Sequence, residues 1–101
     1  MGIHRPRISI IRTGKHVLNT YTVQFFAFCP TNEVRILYTL SIEIDTIILV
    51  ENLIEVVTMH DRGYHEDIAD QLLREFGGRQ TMTANHHGVD IKTVRMIPLA
   101  K

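Results

Sequence analysis

A single cysteine, Cys29, stands before Pro30 and Thr31 in the run Phe28-Cys29-Pro30-Thr31. A thiol there can act as a nucleophile if a nearby imidazole or helix N-terminus lowers its pKa from about 8.5. The ordinary alternative is a buried free thiol, the commonest role of a lone cysteine. Further along, Tyr64-His65-Glu66-Asp67 opens an amphipathic segment. An imidazole near its unshifted pKa can both donate and accept a proton. Glu66 has two readings. It is a first-turn carboxylate facing a helix dipole, or it accepts a ring N–H and an amine lying side by side, a bidentate, charge-assisted contact. Asp67 reads as a helix-start carboxylate only. His86 and His87 are neighbours, and neighbours on a strand face opposite ways, so they do not easily share one ion. There is no His-x-His pair and no second cysteine. No metal is expected.

These groups need elements to position them. Tyr21, Val23, Phe25 and Ala27 alternate onto one strand face. Phe26 and Phe28 are apolar too, so both faces of that strand are candidates for cover. Pro30, Thr31 and Asn32 supply turn chemistry. Ile36, Tyr38, Leu40, Ile42 and Ile44 mark a second strand. Asp45 and Thr46 are suited to cap a helix over Ile47–Met59, with Ile47, Val50, Ile54 and Val57 on one stripe and Leu49 beside Leu53. Glu51 and Glu55 read as its solvated face. A second helix starts near Tyr64, aligns Ile68, Leu72 and Phe76, and stops at Gly77-Gly78. Two more strands follow, joined at or near Gly88. The order predicts an α+β domain, ββααββ: an antiparallel four-stranded sheet with two helices on one face. Residues 1–15 read as a polar N-terminal lead where terminal disorder is the default. Residues 16–101 form the single domain.

The totals narrow the class. A chain of 101 residues is one domain with a modest core. Its hydrophobic content of 45% is too high for a disordered chain. A formal net charge of zero gives no footprint for a polyanion. No apolar run reaches the length of a membrane span, and Arg5, Arg7 and Arg12 interrupt any secretory leader. One cysteine suits a reducing compartment. The expected location is the cytoplasm.

The order ββααββ resembles the tunnelling fold, whose enzymes bind purines and pterins. Phe28-Cys29-Pro30-Thr31, Tyr64-His65-Glu66-Asp67, and Gly78-Arg79 with His86-His87-Gly88-Val89-Asp90-Ile91 occur in the order of the 7-cyano-7-deazaguanine (preQ0) nitrile reductases of queuosine biosynthesis. Those oxidoreductases of tRNA modification carry Cys-Pro, then Phe-His-Glu-Asp, then a hairpin with Gly-x-Phe and Arg-Gly-Gly-Ile-x-Ile. The resemblance covers roughly Tyr21 to Val94. Three departures stand out. The family's acidic proton donor, seven positions after the cysteine, falls on Ile36, and the nearest carboxylate is Glu33. The Glu-x-Lys-x-x-Lys helix that contacts the nicotinamide cofactor corresponds to "VENLIEVV", which keeps Glu51 and has no lysine. The hairpin arginine falls on His86.

The resemblance implies that Cys29 attacks the nitrile of preQ0 to give a covalent thioimide, and that Glu66 binds the purine-like ring. His65 lies at the pocket and moves protons. The proton for the nitrile nitrogen comes from His65, Glu33 or water, with His65 first. Reduction to the aminomethyl product preQ1, with NADPH as cofactor, is the first expectation. A short archaeal relative lacks the cofactor and adds ammonia to the nitrile, giving the amidine of archaeosine; that is the alternative. The implied partner is a 7-deazaguanine, as free base, nucleoside or tRNA-borne form. The implied assembly is a homo-oligomer with sites between subunits. Two further readings are a pterin enzyme that uses Glu66 and leaves Cys29 idle, and a binding protein without catalysis.

Overall fold

The computed structural model describes residues 18–97. The predicted lead at 1–15 lies outside them. The element order is β1 (Asn19–Phe28), β2 (Arg35–Ile44), α1 (Val50–Met59), α2 (His65–Phe76), β3 (Arg79–His86) and β4 (Val89–Met96). All neighbouring strands are antiparallel, in the spatial order β1-β2-β3-β4. The architecture is therefore α+β, ββααββ.

Alternation decides which sheet face is covered. Phe25 and Ala27 on β1, Ile36, Tyr38, Leu40 and Ile42 on β2, and Met82 and Ala84 on β3 join one buried cluster. Leu53 and Val57 of α1 and Ile68, Ala69 and Leu72 of α2 complete it. Both helices thus serve the same face. Register turns these residues into rows: Phe25, Tyr38, Ala84 and Ile91 lie side by side across all four strands. Val23, Leu40, Met82 and Thr93 form the next row. On the other face Phe26 and Leu37 are exposed partners. The guanidinium of Arg35 sits 3.8 Å from the centroid of the Phe26 ring, a cation–π contact.

The first helix departs from expectation. It begins at Val50, with Leu49 as N-cap and no side-chain cap hydrogen bond, so Asp45 and Thr46 do not cap it. Ile48 donates its backbone N–H to the Tyr21 hydroxyl at 3.1 Å and is buried, which ties it to β1 ahead of the helix. The buried pair is Leu53 and Val57, while Ile47, Val50 and Ile54 are about half exposed. A segment apolar on several sides does not announce which side will be buried, and β-branched residues resist the helix start.

The second helix follows expectation more closely. Ile68 and Leu72 are buried, and Phe76 packs at the cluster's margin. Its end is closed by Gly77, whose N–H reaches Leu73 O at 2.8 Å. The buried Gln80 donates from Nε2 to Leu72 O and Gly77 O. Gly78 has φ +74°, and a Cβ there would lie 2.7 Å from Glu43 O. Only glycine joins helix to strand at this spot without moving the backbone. Between β3 and β4, His87 (φ 56°) and Gly88 (φ 85°) make the two-residue turn. Positive φ at both positions matches the twist of a tight hairpin.

Candidate active site

Two backbone hydrogen bonds draw the site together. Phe28 N–H donates to Asp61 O at 2.9 Å, and Gly63 N–H donates to Phe28 O at 3.1 Å. The loop before α2 thereby pairs with the end of β1, next to Cys29. The β1–β2 loop is held in turn by Cys29 N–H to Val34 O and Glu33 N–H to Cys29 O. Asn32 closes an Asx turn by accepting the Val34 N–H at 3.1 Å. Across the gap, the hydroxyls of Thr31 and Tyr64 share a hydrogen bond of 2.9 Å.

These loops enclose a cavity of about 410 Å³, within the usual span for small-ligand pockets. Ile36, Tyr38, Ala84 and Ile91 come from the sheet. Cys29, Thr31 and Asn32 come from the β1–β2 loop, and Gly63 to Glu66 from the start of α2. His86 closes the set. Its lining is largely apolar.

Cys29, His65 and Glu66 therefore meet around one cavity within a single chain. Cys29 is 6% exposed. The Cys-Pro-Thr turn sets the thiol into the wall rather than out on a rim. The His65 Nε2 shares a hydrogen bond of 2.8 Å with Thr93 Oγ1. Its Nδ1 is buried and has no hydrogen-bond partner. Burial holds the imidazole below its ordinary pKa; Glu66 opposes that shift and Arg95 reinforces it. A neutral imidazole is a ready proton acceptor.

Glu66 reaches the cavity with a side chain that is 66% exposed. Its Oε1 accepts a hydrogen bond from Arg95 at 2.5 Å, and Arg95 also donates to Asp70 at 2.7 Å. No other side-chain hydrogen bond engages Glu66 among the described residues, so Oε2 is unpaired.

Glu33 does not join them. It has φ 58° and its carboxylate is bidentate on Arg62, outside the cavity lining. That hydrogen bond holds its pKa below the usual carboxylate value. A lowered pKa is the wrong direction for a proton donor near neutral pH.

Other contributors escaped the sequence reading. Tyr38 is 1% exposed yet lines the cavity. Its ring stacks on Phe25 at 5.3 Å and lies 5.3 Å from the His65 ring, tilted by 59°. Burial first, then the charge of Cys29, raises its pKa. His86 and His87 do not point apart as adjacent strand residues would. His87 belongs to the turn, so the two rings stack at 4.5 Å. The Asn32 amide nitrogen lies 3.4 Å from Nε2 of His86 and 3.1 Å from that of His87. Among the described residues no three His, Cys, Asp or Glu side chains are grouped to hold a metal ion. No helix among them is long and apolar enough to cross a membrane.

No family model, curated protein or solved structure matches this chain.

Proposed function

We propose that the protein captures the nitrile of 7-cyano-7-deazaguanine as a thioimide on Cys29. The observation that carries this reading is the convergence of Cys29, His65 and Glu66 on one largely apolar cavity of about 410 Å³. Flat ring systems suit apolar walls with few polar anchors. Glu66 Oε2 accepts from the guanine-like edge while Arg95 holds Oε1. The bound ring holds the nitrile carbon near sulfur, and proximity supplies much of the rate. His65, neutral through burial, takes the thiol proton and leaves a thiolate.

The fate of the adduct separates two enzymes of the proposed family. A phosphorylated nicotinamide cofactor asks for paired cations. Among the described residues neither lysine nor arginine lines the cavity. Arg62, which lines a neighbouring polar cavity, is bidentate on Glu33, and Arg95 is shared between Glu66 and Asp70. These residues do not fit NADPH. Ammonia needs no phosphate-binding cations. The lining therefore favours the amidine-forming alternative over the reduction that the family resemblance put first.

We extend the proposal to a homo-oligomer. Strands β1 and β4 are the sheet's two edges, and unpaired edges invite strand addition. Exposed Phe26, Phe28 and Leu37 lie near one of them.

The deciding experiment is intact mass after mixing with preQ0. The wild type gains the mass of one ligand, and Cys29→Ala gains none. Ammonium then discharges the adduct in the amidine-forming reading, and NADPH does so in the reductase reading. A wild type with no mass gain, at a pH where thiolate is populated, removes the nitrile reading in favour of a pterin enzyme or a binding protein.

A further inference from the structure

We propose that Tyr38 is the acid that protonates the nitrile nitrogen when Cys29 attacks. This inference rests on the nitrile reading above and names the missing donor in it. Thiolate addition pushes an electron pair onto that nitrogen, and the pair must be met by a proton. The family's acidic position is Ile36 here, and Glu33 is held by Arg62 outside the cavity. Tyr38 stands two residues beyond Ile36 on the same buried face of β2, and both line the cavity. It carries the one phenol set into the sheet side of the cavity; Tyr64 comes from the opposite side and is bonded to Thr31.

A buried phenol normally finds a hydrogen-bond partner. The Tyr38 hydroxyl makes no hydrogen bond among the described residues, although the residue is 1% exposed. It is not among the fully buried polar atoms that lack a partner, so the oxygen keeps some accessibility, and the residue lines the cavity proposed to receive the nitrile. Burial and the nearby Cys29 raise its pKa, which keeps the proton on oxygen at neutral pH. The acceptor is a nitrogen anion, strongly basic at the moment it forms, so a phenol is acidic enough to supply it.

The step balances without a co-reactant. The Cys29 Sγ–C bond forms and one π bond of the nitrile breaks. The nitrogen takes the Tyr38 proton. His65 already holds the proton lost by the thiol, and its ring is in contact with the Tyr38 ring at 5.3 Å. His65 releases that proton to solvent, and the phenolate takes one back from solvent, so no proton is gained or lost overall. The sum is thiol plus nitrile giving thioimide, with His65 as base and Tyr38 as acid.

The test compares adduct formation from preQ0 in the wild type and in Tyr38→Phe, followed by intact mass over time. General acid catalysis contributes roughly 10²–10⁴-fold, and the variant should slow by a factor in that range. Alkylation of Cys29 by iodoacetamide needs no acid and should proceed at the wild-type rate. A second substitution guards against misfolding: 3-fluorotyrosine placed at position 38 keeps the shape and makes the phenol more acidic. Its adduct rate should change with a shifted pH profile. Equal adduct rates in all three proteins would overturn the role of Tyr38 and leave the nitrile reading intact. Slowed alkylation in step with slowed adduct formation would overturn it too, since Tyr38 would then only be packing the thiol. No adduct in the wild type overturns both proposals.

Discussion

Thr93 on β4 and His65 at the start of α2 share a hydrogen bond of 2.8 Å between Oγ1 and Nε2. Thr93 is 7% exposed, so water does not readily replace it. The bond orients the imidazole while Nδ1 stays without a partner. Thr93→Val keeps the volume and removes the hydroxyl, leaving both ring nitrogens unsatisfied. Leaving a buried polar group unpaired costs about 1–3 kcal/mol. Urea unfolding should register that loss, and Thr93→Ser should restore most of it. A valine variant as stable as the wild type would show that the bond does not orient the ring.

Glu66→Gln should keep the fold, because the side chain is exposed and Arg95 retains Asp70. Affinity for a 7-deazaguanine should fall by about 1.5–3 kcal/mol, the scale of a hydrogen bond to a charged group. Calorimetry showing unchanged affinity would count against Glu66 as the ring anchor.

Stability should fall as the solution is acidified below about pH 6.5. Burial lowers the pKa of both His65 and His60 from 6.5. The unfolded chain then binds protons first. Stability is fully present above 6.5 and is lost as pH drops from there through the depressed folded values. The double variant His60→Asn, His65→Asn should flatten that window. Urea midpoints at pH 8 and 5.5 measure it, and an equal slope in both proteins would refute the assignment.

Gly78→Ala should destabilise by about 1–3 kcal/mol, the range for strained backbone positions. Its φ is +74° and the new Cβ would meet Glu43 O at 2.7 Å. The neighbouring β2–β3 pair, Glu43↔Arg79, is expected to give way locally. A melting temperature equal to that of the wild type would mean that the backbone adapts freely.

Self-association should be visible by light scattering at micromolar concentration. A strict monomer that still forms the preQ0 adduct would rule out sites that need a second copy.

Much of the fold was legible because four of its cues are local. Alternation located both faces of β2, Gly77-Gly78 ended α2, Ile68 and Leu72 marked its stripe, and Gly88 marked the hairpin. The start of α1 was not legible. Ile47, Val50 and Ile54 obey a helical period but face solvent, and the hydrogen bond from Ile48 to Tyr21 joins residues far apart in sequence. The site divides the same way. Cys29, His65 and Glu66 sit at element ends, where their chemistry stands out. Tyr38 looked like core, since only strand register places it in a row with Ala84 and Ile91. Its one signal was a polar tip among Ile36, Leu40 and Ile42. Thr93 needed the docking of α2 on β4, which no spacing reports. Glu33 is close to Cys29 in sequence, but its carboxylate pairs with Arg62 outside the cavity lining, a long-range contact that no spacing reports.

The pairing of Phe28 with Asp61 and Gly63 gives the site a mechanical property. One strand end carries the residue before Cys29, and one loop carries the residues before His65. Two backbone hydrogen bonds clasp them. A fluctuation that opens this clasp releases the segment before Cys29 and the segment before His65 together, so the two sides of the cavity loosen as a unit rather than piecemeal. The amides of Phe28 and Gly63 are then natural reporters of it. Their deuterium uptake should accelerate in parallel, and a filled cavity should slow both.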